Sequence, residues 1–299
     1  MNIKTINNLS VPVIVAPMFR VSGPELVVNA CRSGVIGSFP AINPRTIDEL
    51  DQWLSQISSS LADVPDAAPY AVNMVIRSER FSEELELVKR YQVPIVISSV
   101  GSPKAVVPAV HSYGGLVLAD VATLQHARKA VDLGVDGLIL LCAGAGGNTG
   151  WVNPFAFVRA VREFYDGIVV LAGSVMDGTS IRAAEVLGAN LVYMGTRFIA
   201  SEESMAEIEY KNTLIDVDAD DVMTTKAITG IPANFLRPTI VSAGLDPDNL
   251  PAHSEFNIGV NRKKRWKNIW SAGQGVGAVK DVMSVSQIVE QLEKEYKGS

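Results

Sequence analysis

Eight short apolar runs, each trailed by a stretch of different periodicity, fill residues 11–194. The runs are Val11–Ala16, Gly34–Phe39, Tyr70–Val75, Pro94–Ser98, Gly115–Ala119, Gly137–Leu141, Gly167–Ala172 and Leu191–Met194. They are apolar without alternation, as strands covered on both faces are. Between them lie helical patterns over Pro24–Ala30, Thr46–Ile57, Phe81–Tyr91, Pro103–Ser112, Thr123–Leu133, Phe155–Phe164 and Thr179–Leu187. In the second of these, Ile47, Leu50, Leu54 and Ile57 share one face, and Pro24 suits the first position of a helix. So many β-then-α units in so short a chain predict an α/β fold of the (β/α)8 TIM-barrel type. An open dinucleotide-binding sheet would need fingerprint glycines after an early strand, and none are there.

The texture changes after Phe198. Ser201–Thr213 is charged and reads as helix. Ile215–Thr229, with Asp216, Asp218, Asp220 and Asp221, reads as a solvated turn without EF-hand spacing. Pro232–Pro251 reads as loop, and Asn261–Lys267 is a basic patch that serves as a solvated helix face or as an anion site. Ser271–Gly277 is a glycine-rich loop, and Val285–Tyr296 an amphipathic helix. The expected organisation is a barrel from residues 1–200 and 268–299, with 201–267 as a helical and loop insertion on its mouth.

Hydrophobic residues make up 47% of the 299-residue chain, enough for a sizeable core. A formal charge of −6 disfavours nucleic acid as a partner, because phosphate backbones are bound by lysine and arginine. The two cysteines, Cys31 and Cys142, make neither a disulfide framework nor a CxxC metal site. No run reaches membrane-spanning length, and MNIKTINNLSVP lacks the apolar core of a signal peptide, so a cytoplasmic protein is expected. Self-pairing as a homodimer stays open.

In a barrel, the loops at the C-terminal strand ends form the site. Those positions carry Pro17, Met18 and Phe19, Asn73, Asp120, Cys142 to Gly150, Gly173 and Ser174, and Gly195 and Thr196. Four glycines between Cys142 and Gly150 make a loop whose N–H groups can converge on an anion, although a tight turn without a ligand explains them equally well. It is neither a Walker A loop nor a Rossmann turn. Barrels often seat a phosphate after the last two strands, where Gly173-Ser174 and Gly195-Thr196 fall. No metal cluster, nucleophile elbow or paired carboxylate is visible, and Asp120 is the acid that falls at the mouth. The inventory suits a phosphorylated cofactor that carries the hard chemistry itself.

The ordered pieces VIVAPMFRVSGPELV, VDLGVDGLIL, AGAGGNTG, VVLAGSVMDG, VYMGTRFIASEES and WSAGQGVG together resemble the nitronate monooxygenase family, which includes the flavin-dependent enoyl-ACP reductases. The resemblance covers most of the chain. It implies an FMN-binding barrel and an oxidoreductase acting on a small molecule, with no metal. By that likeness Ala16, Pro17 and Met18 would line the ring, Asn73 would face it, and Asp120 would lie beneath it. Gly146 and Gly147 would approach it, Gly173, Ser174, Gly195 and Thr196 would hold the phosphate, and Gln274 would close over that side.

The family pattern after the sixth strand is Gly-Gly-His; here it is Gly146-Gly147-Asn148. Asparagine hydrogen-bonds but does not titrate near neutrality, so Asn148 is the candidate catalytic residue as an orienting group and not as a base. An already ionised nitronate needs no base, so monooxygenase chemistry on a small carbanionic substrate stays open to this chain and is the leading expectation. The alternatives are an NAD(P)H-dependent enoyl-thioester reductase and a flavin-binding protein with weak catalysis.

Overall fold

The computed structural model describes residues 8–252 and 268–299. Eight parallel strands make the barrel: β1 (Val13–Val15), β2 (Ser38–Pro40), β3 (Ala71–Val75), β4 (Ile95–Ser99), β5 (Leu116–Val121), β6 (Gly137–Leu141), β8 (Ile168–Ala172) and β9 (Leu191–Met194). They pair in the order β1-β9-β8-β6-β5-β4-β3-β2. The ring closes where Val15 N–H donates to Ile36 O at 2.8 Å and Ile36 N–H to Val13 O at 3.0 Å. The chain is therefore a TIM barrel, as the repeated pattern predicts.

Helices cover the outside. Local chemistry starts several of them: Thr46, Thr123, Asn153 and Asp177 each accept a backbone N–H of the first turn. The helix Val285–Gly298 begins in a capping box at Ser284 and packs on both Pro24–Arg32 and Gly178–Leu187. Among the described residues no helix is long and apolar enough to cross a membrane.

The barrel interior is layered. Alternation along each strand sends Ile14, Ala71, Leu118 and Val170 inward, with Ile36, Ile95 and Leu191 close below. The strand register carries these layers upward. Ser38, Ile97, Ile139 and Tyr193 come next, then Ala16, Asn73, Asp120 and Ala172 from alternate strands. The interior is thus apolar up to its top two layers, where the first polar atoms appear.

Residues 201–252 depart from the sequence expectation. Helix occupies only Ile208–Asp216, not Ser201–Thr213. The hydroxyls of Ser201 and Ser204 donate to Phe198 O (2.9 Å) and Ile199 O (2.7 Å), taking the free carbonyls at the end of the short helix Thr196–Ile199. The span expected as a turn contains strand β10 (Val222–Thr225), and the expected loop contains β11 (Ala233–Leu236) and the helix Arg237–Ser242. The acidic run does make a turn, with Asp218 capping Ala219–Asp221. Strands β10 and β11 form an antiparallel hairpin that adds β7 (Gly147–Asn148) as a third strand. This small sheet sits on the loop after β6, at the C-terminal end of the barrel. The basic patch 261–267 lies outside the described residues, as does His253.

Candidate active site

The glycine-rich loops meet at the barrel mouth. Gly144 adopts φ +92°, and its carbonyl accepts the Gln274 N–H at 3.0 Å and the Ser174 hydroxyl at 3.4 Å. A methyl group on Gly144 would stand 2.5 Å from Ser174 Oγ and 2.9 Å from Gln274 Oε1. A methyl on Gly146 would stand 2.9 Å from Gly273 N and 3.3 Å from Thr196 Oγ1. Thr196 Oγ1 accepts the Gly273 N–H at 2.9 Å, which leaves the hydroxyl's own proton free to donate. Loops that are far apart in sequence are thus laid backbone to backbone, and only glycine permits such approach.

Among the described residues, three of the four non-glycine residues with left-handed φ lie at the same end, Gln92 being the exception. Arg20 (φ 60°), Val100 (φ 52°) and Ser174 (φ 57°) are non-glycine residues in the left-handed region, and each follows the C-terminal end of a barrel strand. Such conformations cost of order 1–3 kcal/mol each and cluster at functional sites. Gly173 (φ +141°) precedes Ser174 and turns the chain out of β8.

On the β1 side, Ala16 N–H donates to Met194 O at 3.0 Å. Met18 N–H donates to Ser22 Oγ at 2.9 Å, and the Met18 sulfur would lie 3.4 Å from a Cβ on Gly195. Pro17 joins these two residues and is half-buried. Asn73 is buried, and its Oδ1 accepts the Ser99 hydroxyl at 3.3 Å. Asp120 lies in the same layer as Asn73. Its Oδ1 is sealed from solvent and has no hydrogen-bond partner, and burial pushes its carboxyl up to about 7. The other two positions of that layer, Ala16 and Ala172, carry only a methyl group.

The loop bearing Asn148 is held from outside. Asn148 pairs with Ala233 and Gly147 with Asn234, while Thr149 N–H donates to Pro232 O at 3.1 Å. The fully buried Asn234 side chain donates to Ala145 O at 2.8 Å and accepts the Thr224 hydroxyl. Asn148 itself remains exposed. Nothing in the sequence pointed to Asn234, because its role depends on a strand only two residues long.

Other side chains near the strand ends are placed by their packing. Cys142 packs in the layer between barrel and helices, its thiol donates to Leu140 O at 3.3 Å, and burial pushes it up to about 12. Arg197 turns away from the mouth toward Met283 and Gln291. Trp151 is 82% exposed. His111 pairs with Asp136 at 2.8 Å at the opposite end of the barrel. Tyr193, which the sequence alone could not place, points into the barrel with a buried and unpartnered hydroxyl. Among the described residues no group of side chains could hold a metal ion.

A family model described as nitronate monooxygenase matches residues 2–295. A nitronate monooxygenase from Paraburkholderia phytofirmans is 25% identical, across 96% of this chain and 93% of that protein. The (3aS,4S,5R,7aS)-5-hydroxy-7a-methyl-1-oxo-octahydro-1H-indene-4-carboxyl-CoA dehydrogenase of Rhodococcus jostii is 26% identical across 78% of this chain, which spans 64% of that protein's length. Among solved structures, FabK from Thermotoga maritima superposes with a TM-score of 0.85 at 26% identity, covering 100% of this chain and 97% of that one. A nitroalkane oxidase from Streptomyces ansochromogenes shares the fold, with a TM-score of 0.84 at 24% identity over 98% of this chain and 97% of that one.

Proposed function

The chain belongs to the nitronate monooxygenase family of oxidoreductases, and we propose that it is an FMN-dependent member that oxidises a small nitronate, or a similar stabilised carbanion, with oxygen. The observation that carries this reading is the meeting of Gly144, Gly146, Ser174, Thr196, Gly273 and Gln274 at one rim of the mouth, beside the unpartnered Asp120 carboxyl.

The residues present fit the cofactor. The rim offers backbone N–H groups and two hydroxyls, suited to a phosphate that needs no paired cation. In this reading Gly173, Ser174, Gly195 and Thr196 hold the phosphate and Gln274 covers it. Ala16, Pro17 and Met18 line the ring, Asn73 faces it, Gly146 and Gly147 approach it, and Asp120 lies beneath. When bound, FMN supplies the electron-accepting ring and its return to the oxidised state with oxygen.

Asn148 orients the substrate oxygens through its amide. It cannot remove a proton, so the substrate that suits this mouth arrives ionised. We read residues 201–267 as an insertion packed on the mouth, whose hairpin fixes the Asn148 loop.

The test is the absorption spectrum of the purified protein, with mass identification of any released cofactor. FMN should be found, and anaerobic addition of a nitronate should bleach it. Bleaching by NAD(P)H alone would favour an enoyl-thioester reductase, and a colourless protein that does not take up FMN would refute the proposal.

A further inference from the structure

Two oxygens inside the barrel lack partners, and they face the same space. One is Asp120 Oδ1 and the other is the Tyr193 hydroxyl. A buried polar atom left unpaired is costly, so two in one interior call for a partner. Tyr193 belongs to the layer just below Asp120 and comes from the strand between β8 and β1. Its ring therefore lies below Ala16 and Ala172, and β1 stands across the barrel from β5, which carries Asp120.

Asp120 has two unlike oxygens. Oδ1 is sealed, yet the residue as a whole is partly exposed. The layer below is filled by Ser38, Ile97, Ile139 and Tyr193, and the layers under it are apolar, so its accessible side opens to the mouth. The groups around it are uncharged: Ala16, Asn73 and Ala172 in its own layer, and Ile97, Ser99, Ile139 and Leu141 from the flanking strands β4 and β6. Tyr193 is the titratable side chain that faces it among the described residues. Burial, and after it the field of Asp120, hold the Tyr193 hydroxyl protonated well above its ordinary range.

We infer that Asp120 and Tyr193 form a relay through the barrel floor when the cofactor binds: the Tyr193 hydroxyl, which stops short of Asp120 Oδ1 in this structure, closes on it as donor, while the outer oxygen, protonated, donates to an acceptor atom of the bound ring. Both orphaned oxygens are then satisfied. The proton comes from solvent when the ligand binds, so FMN binding is coupled to proton uptake at Asp120. This inference rests on the FMN reading above.

The experiment is calorimetric titration of the apo-protein with FMN in buffers of different ionisation enthalpy, which counts protons taken up per FMN. With a carboxyl poised at about 7, uptake should approach one proton about a unit above neutrality. Asp120→Asn should lack this component; subtracting it removes the phosphate's own protons from the count. Tyr193→Phe keeps the ring but loses the hydroxyl. Its carboxyl, without a donor on the inner oxygen, should titrate higher, moving the uptake window to higher pH and weakening FMN binding about tenfold. A purely structural tyrosine would leave that window in place.

Equal proton counts in wild type and Asp120→Asn, or an unmoved window in Tyr193→Phe, would overturn the relay while leaving FMN binding intact. Failure of the wild-type protein to bind FMN at all would instead overturn the functional reading, and the relay with it.

Discussion

The side-chain amide of Asn234 donates to the carbonyl of Ala145 at 2.8 Å across 89 positions of sequence. It ties the hairpin of β10 and β11 to the loop that carries Asn148. Replacing Asn234 with leucine leaves Ala145 O and the Thr224 hydroxyl without their partner, at a cost of about 1–3 kcal/mol. Amide hydrogen exchange over residues 145–149 should accelerate, and FMN affinity should fall about tenfold.

Two glycines of the same loop should respond differently. Gly144→Ala drives a methyl into Ser174 and Gln274, whereas Gly147→Ala (φ +62°) meets nothing within 4 Å. Gly147→Ala should cost only the left-handed strain, about 1 kcal/mol. Gly144→Ala adds the clash and should cost at least twice that, with clear loss of bound flavin in the absorption spectrum.

Asn148→His restores a titratable group at an exposed position that is already held in strand pairing. Stability should change little, by less than about 0.5 kcal/mol. Oxygen uptake with a neutral nitroalkane should rise about 100-fold, the lower range of general base catalysis. The rate with pre-ionised nitronate should stay within about threefold, since that substrate has no proton to lose.

The Asp120 carboxyl sits at about 7 in the folded apo-protein against an ordinary 3.8. Between those values the folded state binds the extra proton, so stability falls as pH rises from about 4 to 7 and levels off above. The contribution is roughly 2–4 kcal/mol. Urea denaturation of the apo-protein should show this slope, and Asp120→Asn should flatten it.

Lys211 is buried, with its ammonium donating to the carbonyls of Ser201 (2.6 Å), Glu202 (3.3 Å) and Ser204 (3.1 Å). Lys211→Met strands all three and should destabilise the protein by about 2–4 kcal/mol, read by chemical denaturation.

The barrel was legible where burial leaves a one-letter trace. Gly137–Leu141 and Leu191–Met194 are strands over the span that their apolar runs mark. Asp120 and the glycine turns fell at the mouth because strand ends are readable from the same runs. Residues 201–252 were not legible in this way. Val222–Thr225 and Ala233–Leu236 become strands by pairing with each other and with a two-residue partner, and no local pattern encodes such a contact. Lys211 reads as a surface charge until the carbonyls that surround it are in place. Tyr193 lies on a strand covered on both faces, so the side it faces depends on register.

The helix Val285–Gly298 lies against both Pro24–Arg32 and Gly178–Leu187, bridging the seam where β1 meets β9. A nascent chain therefore emerges with those two flanks bare and has nothing to cover them until residues 285–298 leave the ribosome. All eight strands of the cylinder precede residue 195, yet the helix that covers this joint begins only at Val285. During that interval the uncovered flanks are the natural place for a chaperone to hold.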